Sequence, residues 1–123
     1  VCFDHLFPEA ARTLALAGAQ LICHPSNLVL PEYGQLSTRV RSIENRIFWV
    51  LANRYGTEDR GGRALCFTGA SQIIAPDGRV LAGAPAEGDA LEVVEVDPAQ
   101  ADAKNVTTRN DLFADRRPAL YRL

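Results

Sequence analysis

Val1-Cys-Phe-Asp-His-Leu-Phe-Pro-Glu-Ala-Ala-Arg-Thr-Leu-Ala-Leu-Ala-Gly-Ala-Gln-Leu-Ile-Cys-His24 is the stretch on which the fold turns. Val1 to Phe3 reads as the tail of a buried strand. Pro8 suits the first turn of a helix, where its missing N–H costs nothing, and Glu9 suits the positive end of the helix dipole. Phe7, Ala10 or Ala11, Leu14 and Ala17 recur at helical spacing, and Gly18 supplies the stop. Gln20 to His24 is a short apolar run bounded by Pro25, which predicts a second buried strand. Strand, helix, strand over this distance predicts a βαβ crossover with parallel pairing.

Outward from there the pattern continues. Ser26 to Gly34 reads as a loop, and Gln35 to Arg46 as a helix with Leu36, Val40, Ile43 and Ile47 along its apolar stripe. Phe48 to Ala52 is a continuous apolar run, expected to be a strand covered on both faces. Thr57 to Arg63 is polar and glycine-rich and is expected to be a mobile loop. Ser71–Ile74 and Val80–Ala82 flank Pro76-Asp-Gly78, a strong hairpin signal. Ala90 to Val96 predicts a further strand, Asp97-Pro98 the start of a short helix, and the rest a polar, Arg-rich tail. The expected class is α/β, with parallel pairing first and a hairpin later.

Composition narrows the function classes. The 123 residues suit one domain, with 47% hydrophobic and 23% charged residues. A net charge of −2 argues against a broad nucleic-acid surface. No apolar run approaches the roughly 20 residues of a membrane helix, and no signal peptide is visible. The odd count of three cysteines (Cys2, Cys23, Cys66) favours reduced thiols and a cytoplasmic location. The opening Val-Cys-Phe-Asp, without an initiator Met, leads to the expectation that a preceding portion was cut away.

Cys2 is the residue with the most chemistry to offer. A thiol at a strand end, followed by a turn and a helix start, can be held rigidly beside backbone N–H donors. A Cys in an apolar strand can equally be a small buried hydrophobe. Two rival constellations exist. Cys2, His5, Cys23 and His24 have short metal-ligand spacings, but Cys23 and His24 are adjacent in a strand and point to opposite faces. A Cys2–His24 dyad would make a different thiol hydrolase, for which no third orienting group is apparent.

The wider pattern favours one reading. Val1-Cys-Phe-Asp-His-Leu-Phe-Pro-Glu9 resembles the nucleophile motif of the nitrilase superfamily of carbon–nitrogen hydrolases. The resemblance runs in order through Ala11-Arg-Thr-Leu-Ala-Leu-Ala-Gly-Ala19, His24-Pro-Ser-Asn-Leu-Val-Leu-Pro31, Arg41-Ser-Ile-Glu-Asn-Arg46 and Ala52-Asn-Arg-Tyr-Gly56. It continues in Phe67-Thr-Gly-Ala-Ser71, Pro76-Asp-Gly-Arg-Val-Leu81 and Arg109-Asn-Asp-Leu-Phe-Ala-Asp-Arg-Arg117. It implies the C-terminal half of an α-β-β-α sandwich, and a Cys-Glu-Lys mechanism on small nitriles or amides through a thioester, without metal or cofactor.

On this resemblance Cys2 is the nucleophile and the backbone N–H of Phe3 the oxyanion donor. Asn27, in the loop that lines the family's pocket, is placed to reach a substrate carbonyl or nitrile nitrogen and can equally hold a turn, whereas His5 falls where many family members carry another residue, so it is expected first as a solvated turn residue and second as a part of the pocket mouth. Asp4 braces the nucleophile turn by accepting from the Arg41 region, and Glu9, Glu44 and Asn45 are supporting residues. The family's Glu and Lys lie upstream of its nucleophile, so Glu9, Glu44 and Lys104 do not match them. The 123 residues alone are therefore expected to be inactive. Homo-oligomers are implied, formed through the helices after the nucleophile and the tail. The alternative from another class is a catalytically silent module that folds with a partner.

Overall fold

The computed structural model describes residues 2–121. It opens with a 3-10 helix, Cys2–Leu6, followed by α1 (Pro8–Leu16), β1 (Leu21–Ser26), α2 (Tyr33–Asn45) and β2 (Phe48–Asn53). Then come β3 (Tyr55–Asp59), β4 (Ala64–Thr68), β5 (Gln72–Ile74), β6 (Val80–Gly83), a 3-10 turn at Pro98–Ala101, β7 (Asn105–Thr107), β8 (Asn110–Asp111) and a last 3-10 turn at Pro118–Leu120. The expected α/β class holds, with a mixed sheet.

That sheet runs β1-β2-β5-β6. β1 and β2 pair in parallel, from Leu21 opposite Phe48 to Ser26 opposite Asn53, joined by the α2 crossover. β5 and β6 add antiparallel strands, and their hairpin closes at the predicted Pro76-Asp-Gly78. Gly78 has φ +83, and a Cβ there would meet Ile43 Cγ1 at 2.5 Å, so the turn needs glycine on two counts.

Register sorts the faces. Ile22, His24, Trp49, Leu51, Gln72 and Ile74 point to one side, where Ala11 and Ala15 of α1 pack. The opposite face carries Phe48 under Ala75 and Ala101, while Leu21, Cys23, Pro25 and Ala52 lie exposed. The four-stranded sheet thus carries α1 and α2 on one face, where Ala11 and Ala15 pack and Gln72 meets Gln35 and Thr38. α1 begins with Pro8 and ends where Ala17 donates to the Thr13 carbonyl and Gly18, at φ +94, to that of Ala15.

Four expectations are corrected. Cys2 and Phe3 are in a 3-10 helix and not a strand tail, and Val1 lies outside the described residues. The parallel pair is therefore β1 with β2, not a strand at residue 1 with β1. Thr57–Arg63 belongs to a β3–β4 hairpin, whose tip is closed by Arg60 N–H to the Arg63 carbonyl and by Glu58 pairing with Arg54 and Arg60. Ala90–Val96 is not a strand: none of the described strands pairs with it, and Leu91 and Val93 are 88% and 83% exposed.

A further correction concerns α2. Three members of its predicted apolar stripe face outward, with Leu36 64% exposed and Val40 and Ile43 also exposed, and only Ile47, just past the helix end, enters the core, while Gly34, Thr38, Arg41, Ser42 and Asn45 are buried. The reason is polar matching. Gln72 Nε2 donates to the Gln35 carbonyl and Thr38 Oγ1, Asn45 Nδ2 to the Arg41 carbonyl, and Arg41 to carbonyls of the opening turn. Buried polar groups are tolerated when so paired. No helix among the described residues is long and apolar enough to cross a membrane.

Candidate active site

Cys2 opens the structure with φ +35, a left-handed conformation that L-residues rarely adopt. Such strain persists only where the surroundings hold it. Arg41 supplies much of that hold: its Nε donates to the His5 carbonyl at 3.2 Å, Nη2 to that of Leu6 at 3.3 Å, and Nη1 to Glu44 Oε1 at 3.1 Å. Phe7 N–H donates to the Asp4 carbonyl at 3.1 Å, and the Phe3 and Phe7 rings meet edge-on at 5.6 Å.

From the sheet side, His24 on β1 places Nε2 at 2.9 Å from the Cys2 carbonyl oxygen and 2.9 Å from Ser26 Oγ. Its ring lies edge-on to Trp49 at 5.5 Å and 5.7 Å from the ring of His5. His5 is itself tied through Nδ1 to Ser37 Oγ at 2.6 Å. Both histidines are 4% exposed. His5 therefore is not a solvated turn residue.

The loop after β1 forms the facing wall. Leu28 N–H donates to Asn53 Oδ1 at 2.9 Å, and Thr68 N–H donates to the Leu28 carbonyl at 2.9 Å. Asn53 Nδ2 in turn donates to Thr68 Oγ1 and the Gly69 carbonyl. The result is a cleft of about 240 Å³ lined by Cys2, Phe3, His5, Asn27, Leu28, Val29 and Leu30. Four residues singled out in the sequence (Cys2, Phe3, His5 and Asn27) thus share one largely apolar cavity.

The supporting residues divide differently. Arg41 braces the turn through the main-chain carbonyls of His5 and Leu6, whereas the sequence pointed to Asp4, which gives its own carbonyl to Phe7. Glu44 orients Arg41, and its carbonyl accepts from Arg12 Nη2 at 2.6 Å. Asn45 is fully buried behind them. Glu9 lies apart, in a second cleft with Arg12, Glu44 and Arg116. Lys104 donates to the Asn45 and Arg46 carbonyls and sits over the Phe113 ring.

The rival constellations do not assemble. Cys23 is exposed and His24 buried, on opposite faces of β1, and His24 Nε2 meets the Cys2 carbonyl. Among the described residues no three His, Cys, Asp or Glu side chains converge to hold a metal. Sequence reading missed Asn53, Ser37 and Trp49. An Asn closing an apolar strand run, as in Ala52-Asn-Arg54, is the one signal that could have drawn attention to Asn53.

Burial holds the pKa of His24 below its ordinary value, opposed in part by its bond to the Cys2 carbonyl. Burial, then the charges of His24 and Arg41, do the same to His5. Lowered folded-state values mean that the unfolded chain binds more protons at mildly acid pH. The stabilisation is complete above the ordinary His value of about 6.5 and is lost as pH falls through and below it. Unfolding midpoints should therefore be lower at pH 5.5 than at pH 7.5, and an equal or higher midpoint at pH 5.5 would contradict the linkage.

Comparison with known proteins accords with this geometry. The family model described as carbon-nitrogen hydrolase matches residues 1–105. A nitrilase of Pyrococcus abyssi is 42% identical over 121 residues, which cover 98% of this chain and 44% of that protein. The NitFhit protein of C. elegans superposes with a TM-score of 0.79 at 28% identity, covering 98% of this chain and 29% of that one. The amidase from Nesterenkonia sp. AN1, solved with the acetamide moiety of fluoroacetamide added covalently at its active-site cysteine, gives a TM-score of 0.61 at 35% identity. That match covers 70% of this chain and 32% of the amidase. The chain spans less than half the length of the relatives it matches, yet by motif order, fold and family match it belongs to the carbon-nitrogen hydrolases.

Proposed function

We propose that this chain carries the nucleophile of a hydrolase for small nitriles or linear amides. The observation that supports it best is the meeting of Cys2, the Phe3 main chain, His5 and Asn27 in one cleft, with Cys2 held in a left-handed conformation. The Cys2 thiolate attacks the electrophilic carbon and the new negative charge meets the Phe3 N–H. With an amide, the C–N bond breaks, ammonia or an amine leaves, and water then hydrolyses the thioester. With a nitrile, the thioimidate first takes up water and expels ammonia.

The general base and the cation come, on this reading, from residues beyond the 123. Glu44 and Lys104 are committed to Arg41 and to the end of α2, and Glu9 lines a different cleft. The nitrilase and amidase relatives leave both substrate classes open. The test is ammonia release by the whole natural protein from a panel of small amides and nitriles, with mass spectrometry of acid-quenched samples. An acyl adduct on Cys2 during turnover is expected. Release without such an adduct, or no release across the panel, would sink the proposal.

A homo-oligomer in a reducing, cytoplasmic setting completes the reading. The outward stripe of Leu36, Val40 and Ile43, with exposed Tyr33 beside it, is the surface that a second copy would cover. The same stripe favours the second reading, a silent module that needs a partner. Sedimentation that finds only monomer at micromolar concentration would remove the oligomer, whichever reading holds.

A further inference from the structure

His24 reaches from β1 to the main chain of the nucleophile itself. A carbonyl oxygen only accepts, so the 2.9 Å approach of Nε2 to the Cys2 oxygen requires that Nε2 carry the proton. Nδ1 is buried, and no group among the described residues reaches it, which suits a bare lone pair there. Ser26 Oγ, also 2.9 Å from Nε2, takes a share of the same N–H. Trp49 edge-on and the neighbouring ring of His5 fix the imidazole plane. The ring is thus held as a neutral Nε2–H donor aimed at one atom.

That atom belongs to the peptide group that matters most. The Cys2 carbonyl and the Phe3 N–H are two ends of one planar unit, and no peptide bond is cis, so oxygen and hydrogen point in opposite directions. A donor holding the oxygen fixes where the N–H points. It also polarises the unit and makes that N–H the stronger donor, as linked hydrogen bonds reinforce one another. The left-handed φ of Cys2 makes an outside hold on this plane necessary.

We propose that His24 is a positioning residue of the oxyanion hole: its Nε2–H orients and polarises the Cys2–Phe3 peptide whose N–H meets the charge developed in the reaction. This role rests on the reading of Cys2 as nucleophile. As the C–S bond forms, the π electron pair of the substrate moves onto its oxygen or nitrogen, facing the Phe3 N–H. With an amide the tetrahedral intermediate then collapses with cleavage of the C–N bond, and with a nitrile that cleavage follows the addition of water to the thioimidate; in both, the leaving nitrogen takes its proton from the acid–base group that the proposed function places beyond the 123 residues. His24 keeps its own proton throughout.

His24→Phe retains an aromatic ring against Trp49 and removes the donor, and His24→Gln restores an N–H close to the place of Nε2. In the whole natural protein, His24→Phe is expected to lower kcat about 10- to 100-fold with KM changed less than about threefold, less than the loss of an oxyanion donor itself. His24→Gln is expected to recover most of that loss. Equal impairment of both variants, or of neither, overturns the role. If His24→Phe does not fold, the nitrogen NMR shifts of the wild-type imidazole decide: protonated Nε2 with bare Nδ1 at pH 7 supports the role, and the opposite tautomer overturns it. A wild-type protein without Cys2-dependent turnover overturns the proposed function and this role with it. An active wild type indifferent to His24→Phe overturns only the role.

Discussion

Cys2→Ala should lower ammonia release by at least about 10³-fold while leaving the fold intact, because on the proposed mechanism the substitution removes the atom that forms the covalent intermediate. Residual turnover would come only from binding and from the Phe3 N–H. Cys2 is half-buried, and alanine keeps the same left-handed φ, so strain neither appears nor is relieved. Stability is therefore expected to stay within about 1 kcal/mol. Two internal controls are built in, since Cys23 and Cys66 are exposed thiols outside the cleft. Their serine variants should retain full activity. If Cys2→Ala stays active, or if Cys23→Ser abolishes turnover as fully, the nucleophile has been placed wrongly.

Arg41→Met should cost about 2–4 kcal/mol. The guanidinium is buried and donates to two turn carbonyls and to a carboxylate, so its removal leaves those acceptors without donors. Glu44 retains some access to water, which tempers the penalty. Methionine keeps most of the apolar stem, so the loss reports the polar contacts. In a chain of this size the melting midpoint should fall by about 10 °C. Arg41→Lys should recover only part, because an ammonium lacks the planar fork that reaches the His5 and Leu6 carbonyls together. A midpoint within about 2 °C of wild type for Arg41→Met would show that the turn is held by other means. The same variant should slow turnover, since Cys2 sits on that turn.

Much of this fold was legible where residues punctuate it. Pro8 and Gly18 bracket α1, Pro76-Asp-Gly78 closes the β5–β6 hairpin, and the apolar runs give β1 and β2. Illegible parts share a cause, namely that a partner far along the chain decides them. Leu36, Val40 and Ile43 form an apolar stripe by period, and period alone predicts burial. The opposite face goes inward because the His5 and Leu6 carbonyls and the Gln72 amide wait there. β3 and β4 form a half-exposed ribbon whose strands carry Thr57, Glu58 and Asp59, so no apolar alternation announced them. Val-Cys-Phe is apolar and read as a strand, yet Cys2 and Phe3 belong to a 3-10 helix.

The candidate site shows the same division. Motif order brought forward Cys2, Phe3, His5 and Asn27, and the cleft contains all four. The contact between His24 and the Cys2 carbonyl joins residues 22 positions apart and exists only once β1 is seated beneath the turn. Asp4 was assigned a brace that Arg41 delivers to its neighbours' carbonyls. Side-chain roles of this kind follow from tertiary geometry, whereas the proposed nucleophile is singled out by local sequence.

The wall formed by Leu28, Val29 and Leu30 separates anchoring from choice. Leu28 is buried in the core, its N–H and carbonyl are both engaged, and a Cβ at Gly34 would collide with it. Val29 and Leu30 face the same cavity yet remain largely open to solvent. Neither belongs to the packed interior. Natural drift or directed evolution can therefore resize this cavity, the proposed substrate space, at these two neighbours with little penalty to folding, while the position just before them stays under stability constraint.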